Sequence, residues 1–214
     1  MSKQKAEFDN LEPIALDLGK LGNTVLPGSG EYEYYLDLNE RILYIDFDID
    51  NNLTDYSRRI IRWNREDKDI PVEERKPIKI LIQSYGGGLD SCLHFMDTLL
   101  LSKTPVYTYN IGVAYSAGFY LLLAGSKRFS YPNAQFLIHS GSGGAGGTYE
   151  QSKSQMEHYS SRVEFLRKYT LGRTCIPEKL YARKKSTEWF LSAAEAVQYG
   201  IIDRVIESLD EIFF

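Results

Sequence analysis

A helical run that is apolar on every side has to be buried, and one such run sets the centre of this chain. Gly112-Val113-Ala114-Tyr115-Ser116-Ala117-Gly118 leads without a break into Phe119-Tyr120-Leu121-Leu122-Leu123-Ala124-Gly125. It starts where an apolar strand, residues 105–110, ends. A single serine between small residues at the mouth of a buried helix is an unusual placement. On one reading Ser116 is a nucleophile on a tight strand-to-helix turn. Small neighbours there let another backbone approach, and free N–H groups at the helix start hold an oxyanion. On the other reading it is an N-cap among packing residues.

Around that centre the chain repeats one order: strand, glycine-bearing turn, helix. Residues 1–30 lack periodicity and close on Pro27-Gly28-Ser29-Gly30, so they read as an N-terminal arm, with residues 31–214 as one domain. The alternation of residues 31–38 predicts an edge strand, and residues 41–47 predict a β-rich run. A helix begins at Asn51-Asn52-Leu53-Thr54 with Leu53, Tyr56, Ile60, Ile61 and Trp63 on one face. Charged residues 65–76 read as a solvated connection. Residues 78–82 form the next strand, which ends in Ser84-Tyr85-Gly86-Gly87-Gly88 ahead of a helix over 89–101. Strand 106–109 leads to the Ser116 turn, and short strands 128–130 and 135–138 lead to His139. This order predicts a wound α/β core with right-handed crossovers, whose functional crevice lies at the carboxyl ends of the strands. The glycine turn, Ser116 and His139 all stand at such ends.

Gly141-Ser142-Gly143-Gly144-Ala145-Gly146-Gly147 reads either as a flexible linker or as a bare backbone beside which another chain pairs. Thr148 then caps a long helix carrying Tyr149, Met156, Tyr159, Val163, Leu166 and Tyr169 at heptad-like spacing, a face for a partner or for the core. Residues 177–184 form a short helix. Residues 188–192 lead into another, capped by Ser192 with Glu195 in a capping box and stopped at Gly200. Residues 201–206 make a last strand.

Hydrophobic content of 43% and charged content of 25% are ordinary for a globular domain. A net charge of -4 weighs against nucleic acid or an anionic membrane as the main partner. Two cysteines, Cys92 and Cys175, offer no disulfide framework and no zinc spacing, and they read as buried thiols of a reducing compartment. Residues 1–10 are charged, and no stretch nears the ~18 consecutive apolar residues of a membrane span. A cytoplasmic location is expected. No phosphate-binding loop occurs, so any ATP dependence has to come from another chain, and no cofactor or metal is expected.

Of three histidines, His94 and His158 fall inside helices and read as surface or packing residues. His139 follows an apolar strand and precedes the glycine run, where a base can face an open cleft. A serine hydroxyl needs a base to take its proton, and the base needs an acceptor that fixes its tautomer. Ser116 and His139 are the natural pair. For the acceptor, the residues alone leave Glu188, Asp90, Asp97 and Asp203 open.

Over residues 41–206 the chain resembles the proteolytic subunit of the Clp protease, the ClpP family. Gln83-Ser84-Tyr85-Gly86-Gly87-Gly88 corresponds to its NSPGG turn, and Gly112-Val113-Ala114-Tyr115-Ser116-Ala117-Gly118 to its GQAASMG nucleophile turn. Leu121-Leu122-Leu123-Ala124-Gly125, Pro132-Asn133, Ile138-His139, Gly143-Gly144, Gly147, Phe190-Leu191-Ser192-Ala193-Ala194-Glu195-Ala196, Tyr199-Gly200 and Ile202-Asp203 follow in order. The resemblance implies a crotonase-like α/β fold of repeated β-α units with a long handle helix. It implies a serine endopeptidase with Ser116 as nucleophile, His139 as base and Glu188 where the family has Asp. The amides of Gly87 and Ala117 would form the oxyanion hole. Gly86, Gly88, Gly141, Ser142 and Gly143 would line the path of a peptide that adds as a strand. It further implies a homo-oligomer, a heptameric ring or stacked double ring, served by an AAA+ unfoldase.

Several positions depart from the family. The aromatic residues of its unfoldase-docking pocket fall on Lys79 and Leu81, and its acidic–Arg pair before the catalytic Asp falls on Ser186 and Thr187. Glu at 188 motivates an alternative, a weak or inactive regulatory subunit that co-assembles with an active paralogue. An acyl-CoA enzyme of crotonase fold would give the Ser–His placement no purpose. A Ser-Lys dyad, for which Lys127 is the nearby lysine, would leave His139 superfluous.

Overall fold

A computed structural model describes residues 29–184 and 186–213. The expected N-terminal arm lies outside the described residues as far as residue 28. From Asp37 onward the described residues form one compact unit. The first helix, α1 (Ser29–Asn39), replaces the edge strand expected over residues 31–38. Glu and Tyr alternate only over the first four of those residues. The Tyr34-Tyr35-Leu36 run then breaks the period, and Glu and Leu favour a helix. The chain leaves α1 through Arg41, which takes a left-handed φ of 58° and returns its N–H to the Leu38 carbonyl.

The β-rich run 41–47 contributes β1 (Ile42–Ile45). It is followed by α2 (Leu53–Glu66), β2 (Ile78–Ser84), α3 (Leu89–Leu101) and β3 (Val106–Tyr115). Next come α4 (Ala117–Leu123), β4 (Lys127–Ser130), β5 (Gln135–Ile138), α5 (Tyr149–Arg173) and α6 (Glu178–Lys184). The chain closes with β6 (Trp189–Ser192), α7 (Ala193–Gln198), β7 (Arg204–Val205) and α8 (Asp210–Phe213). Among the described residues seven strands make one sheet in the order β1-β2-β3-β4-β7, parallel throughout. β5 leaves that path to pair in parallel with β3, and β6 pairs antiparallel with β5. This mixed, mostly parallel α/β architecture is the fold class that the alternating elements predict.

Period-two alternation divides the sheet between two cores. Ile78, Ile80 and Ile82 of β2 point into the larger core, under α3 and α4. Leu81, Tyr109, Phe129 and Ile42 fill a smaller core on the other face, closed by Ile212 of α8. Every residue of α4 is buried, as a helix apolar on all sides must be. Thr148 and Ser192 cap their helices with complete capping boxes, and Gly200 turns the chain at a φ of 64°.

The remaining differences have local causes. Ile61 is exposed, because α2 buries the stripe Leu53, Ser57, Ile60 and Trp63, to which 61 does not belong. The connection 65–76 is not wholly solvated: Asp67 is buried against Arg41. The segment before the Ser192 cap leads directly into α7 as expected, and it does so as the strand β6, whose Trp-Phe-Leu core has the strand preference of aromatic residues. The final strand shrinks to β7, and Cys175 is exposed rather than buried.

Candidate active site

Everything in the site depends on where β3 changes neighbours. Its first half pairs with β4, Tyr107 beside Lys127 through Asn110 beside Ser130. Its second half pairs with β5, Val113 beside Gln135 through Tyr115 beside Leu137. Asn110, fully buried, stitches the fork. Its Nδ2 donates to the Gln135 carbonyl at 2.9 Å, and its Oδ1 accepts the Gly112 N–H at 3.1 Å. A polar side chain in the middle of a buried apolar strand is the signal that sequence reasoning passed over. Because of the fork, the residues after β3 and after β5 emerge side by side: the Ser116 N–H donates to the Leu137 carbonyl at 3.1 Å.

Ser116 and His139 meet there. His139 Nε2 stands 2.7 Å from Ser116 Oγ, both side chains half-buried. Ser116 itself takes φ 52° and ψ -119°, a conformation a side chain avoids unless its surroundings impose it. The imposition comes from the glycine turn after β2. Gly86 has a φ of 109°, and a Cβ there would stand 2.8 Å from Ser116 Cβ and 2.9 Å from the Tyr115 carbonyl. Only glycine lets the two turns approach so closely.

The glycine turn is held on its far side by Ile49, whose N–H donates to the Gly86 carbonyl while its own carbonyl accepts the Gly88 N–H, each at 2.7 Å. Gly87 lies between these two bonds at a φ of 144°. Gly87 and Ala117, the latter the first residue of α4 and so without an intrahelical acceptor for its N–H, line the cleft together with Ser116. Gly88 lines the cleft but spends its amide on Ile49; Gly86 supports the turn from outside the lining.

The cleft over Ser116 and His139 encloses about 640 Å³. Tyr85, Tyr115 and Phe190 form an aromatic ladder along it, with edge-to-face centroid distances of 5.7 and 5.6 Å. Tyr120, Tyr159, Leu137, Val163 and Leu166 supply further apolar wall. Burial holds the Tyr120 phenol well above its usual range. Behind the turn, the buried Cys92 thiol donates to the Ala117 carbonyl at 3.4 Å and is pushed up to about 12, which leaves it a packing group.

Ser140, Gly141 and Ser142 continue the wall after His139, while Gly143 is just beyond it. The glycine run is exposed and has no regular structure, and Gly146 donates its N–H to Gln155 Oε1 at 3.1 Å.

Of the acidic candidates, Glu188 lines the cleft, exposed at the start of β6. Among the described residues it makes no hydrogen bond to His139. Asp90 pairs with Arg162, Asp203 accepts the Arg128 N–H, and Asp97 lines a separate groove with His158. Lys127 stands at the other end of β3, against the Tyr107 ring, which removes it as a partner for Ser116. A second serine–histidine contact, Ser57 Oγ to His94 Nε2 at 3.0 Å, ties α2 to α3. Ser57 sits mid-helix with no glycine turn against it. His158 accepts from Arg162 on the surface of α5. No cluster of His, Cys, Asp and Glu able to hold a metal occurs among the described residues, and no helix there is long and apolar enough to cross a membrane.

The sequence model of the Clp protease family matches residues 32–209. The ATP-dependent Clp protease proteolytic subunit 1 of Streptomyces avermitilis is 34% identical over 142 residues, a stretch that spans 65% of this chain and 65% of that protein. The chain belongs to the Clp protease family.

Proposed function

We propose that this chain is a serine endopeptidase that hydrolyses peptide bonds within an oligomer. The observation that carries the reading is the 2.7 Å approach of His139 Nε2 to Ser116 Oγ on a strained turn. With its proton on Nδ1, the neutral imidazole accepts the serine proton at Nε2 as Oγ attacks the scissile carbonyl. The carbonyl oxygen gains negative charge in that step, and the N–H groups of Gly87 and Ala117 stabilise it. His139 then returns the proton to the leaving amine, and water repeats the cycle on the acyl-enzyme. An extended peptide lies along the cleft with its backbone paired to residues 141–143. The sequestered chamber is a ring of copies of this chain, and the AAA+ unfoldase that feeds it is a separate protein.

Glu188 is the acidic member of the triad, reaching the ring by a side-chain rotation about its own backbone position. A second reading takes its support from Glu188, which makes no hydrogen bond to His139 among the described residues: on it, the subunit is catalytically weak and co-assembles with an active paralogue. Turnover of short peptides by the homo-oligomer decides between the two, since the second reading requires it to stay inert. For the first, Ser116→Ala removes hydrolysis and abolishes covalent labelling by a fluorophosphonate. Labelling that survives the substitution would remove Ser116 from its role.

A further inference from the structure

The segment that carries the general base is fastened by a side chain from an element far along the chain. Tyr159 of α5 donates its hydroxyl to the Ser140 carbonyl at 2.9 Å, one residue after His139. Its ring lies under the start of the glycine run. A Cβ on Gly141 would meet the Tyr159 hydroxyl at 2.7 Å, and one on Gly143 would meet the ring at 3.3 Å. Gly141 also has a φ of 79°, so the backbone bends there over the phenol. Tyr159 lines the cleft with Ser116 and His139 and is half-buried there.

The backbone on the two sides of His139 is held very differently. Before it, β5 fixes Leu137 and Ile138 in the sheet between β3 and β6. After it, residues 140–147 have no regular structure. A histidine at the end of a strand with a loose glycine run beyond it would sample several χ1 and ψ combinations, because glycine imposes few limits on the chain. A hydrogen bond to the first carbonyl of that run, with the phenol set against Gly141 and Gly143, removes that freedom where the imidazole needs it removed. The glycines are then required by the tyrosine as well as by substrate: larger residues at 141 and 143 would collide with it.

We infer that Tyr159 is a positioning residue: through the Ser140 carbonyl it holds the backbone that aims His139 at Ser116, so that α5 sets the catalytic geometry. This rests on the peptidase reading of Ser116 and His139. Tyr159 acts chiefly on the acid–base step. Its loss lowers kcat and the rate of acylation by a larger factor than it raises KM for a short peptide.

The test uses the full chain and its Tyr159→Phe and Tyr159→Leu variants, with fluorophosphonate labelling rates and kcat and KM on a short fluorogenic peptide. Tyr159→Phe keeps the ring and deletes one hydrogen bond, and labelling slows on the order of tenfold at neutral pH. Tyr159→Leu, which also frees the glycines, slows it further. Gly143→Ala alone slows labelling but adds no further loss in the Tyr159→Leu background, because the added methyl no longer meets a ring. Equal labelling of Tyr159→Phe and the unmodified chain would overturn the inference while leaving the peptidase reading in place. A rate loss matched by loss of folded protein in a melting curve would overturn it as well, since a structural role predicts that parallel. Absence of labelling in the unmodified chain sinks the peptidase reading itself, and the inference with it.

Discussion

At the scale of single residues, two side chains sit in backbone conformations that only their surroundings explain. Ser116 is one, and the neighbouring glycine turn accounts for it. Arg41 is the other: a left-handed φ costs a non-glycine residue about 1–2 kcal/mol. Its guanidinium offsets that by a bidentate pair with Asp67, at 2.6 and 2.7 Å, and Asp67 also accepts from Thr104 at 2.8 Å. The Arg41 hydrogen bond, with help from Thr104, holds the Asp67 carboxyl below the usual carboxylate range. A group depressed in the folded state contributes stability above its unfolded value of about 3.9, and loses it as pH falls through the folded value. Asp67→Ala strands a largely buried guanidinium and is expected to cost about 3 kcal/mol at pH 7 by urea unfolding. The variant also loses less stability than the parent between pH 5 and pH 2. An identical acid profile in parent and variant would contradict this assignment. Neither partner was legible as a pair in the sequence, where Asp67 sits in a run of charges that reads as solvated.

At the scale of elements, the fork in β3 decides whether there is a site at all. Strand periodicity located β3, β4 and β5, but it carries no information about which part of β3 each one joins. Asn110 makes that choice, because a buried amide must find partners and finds them in Gln135 and Gly112. Asn110→Ala leaves a buried carbonyl and a buried N–H unpaired and is expected to cost about 2 kcal/mol by thermal or urea melts. It also slows fluorophosphonate labelling of Ser116, as the two strand ends lose their common register. Stability that falls with labelling unchanged would show that the register is held without Asn110. Other elements were misread for related reasons. The tyrosines of α1 imitate strand alternation for one short stretch. The aromatic run of β6 lies directly before a strong capping box, which drew attention to the helix and away from the strand.

At the scale of the whole molecule, α5 is out of proportion to what it buries. Of its 25 residues, only Leu166 and Thr170 are buried, while Tyr149 is 75% exposed, Met156 49% and Phe165 47%. Exposed apolar side chains along so long a helix fit the proposed ring of copies, in which they would be covered. Size-exclusion chromatography with light scattering is expected to give a mass several times that of one chain. Replacing Tyr149 and Met156 together by Glu lowers that mass and peptide turnover in step. A monodisperse single chain with full turnover would refute the proposed assembly.

The sequence by itself determined the buried helix, most of the strands and helices after residue 41, and the candidacy of Ser116 and His139, since periodicity, glycine turns and caps are local properties of the chain. Only the tertiary structure decided where β3 divides, that the Gly86 turn presses on Ser116, that Glu188 lines the cleft while the three aspartates do not, and that Tyr159 bonds the Ser140 carbonyl beside His139. Those are contacts between residues distant along the chain, created by register and by which groups had to find partners once water was excluded.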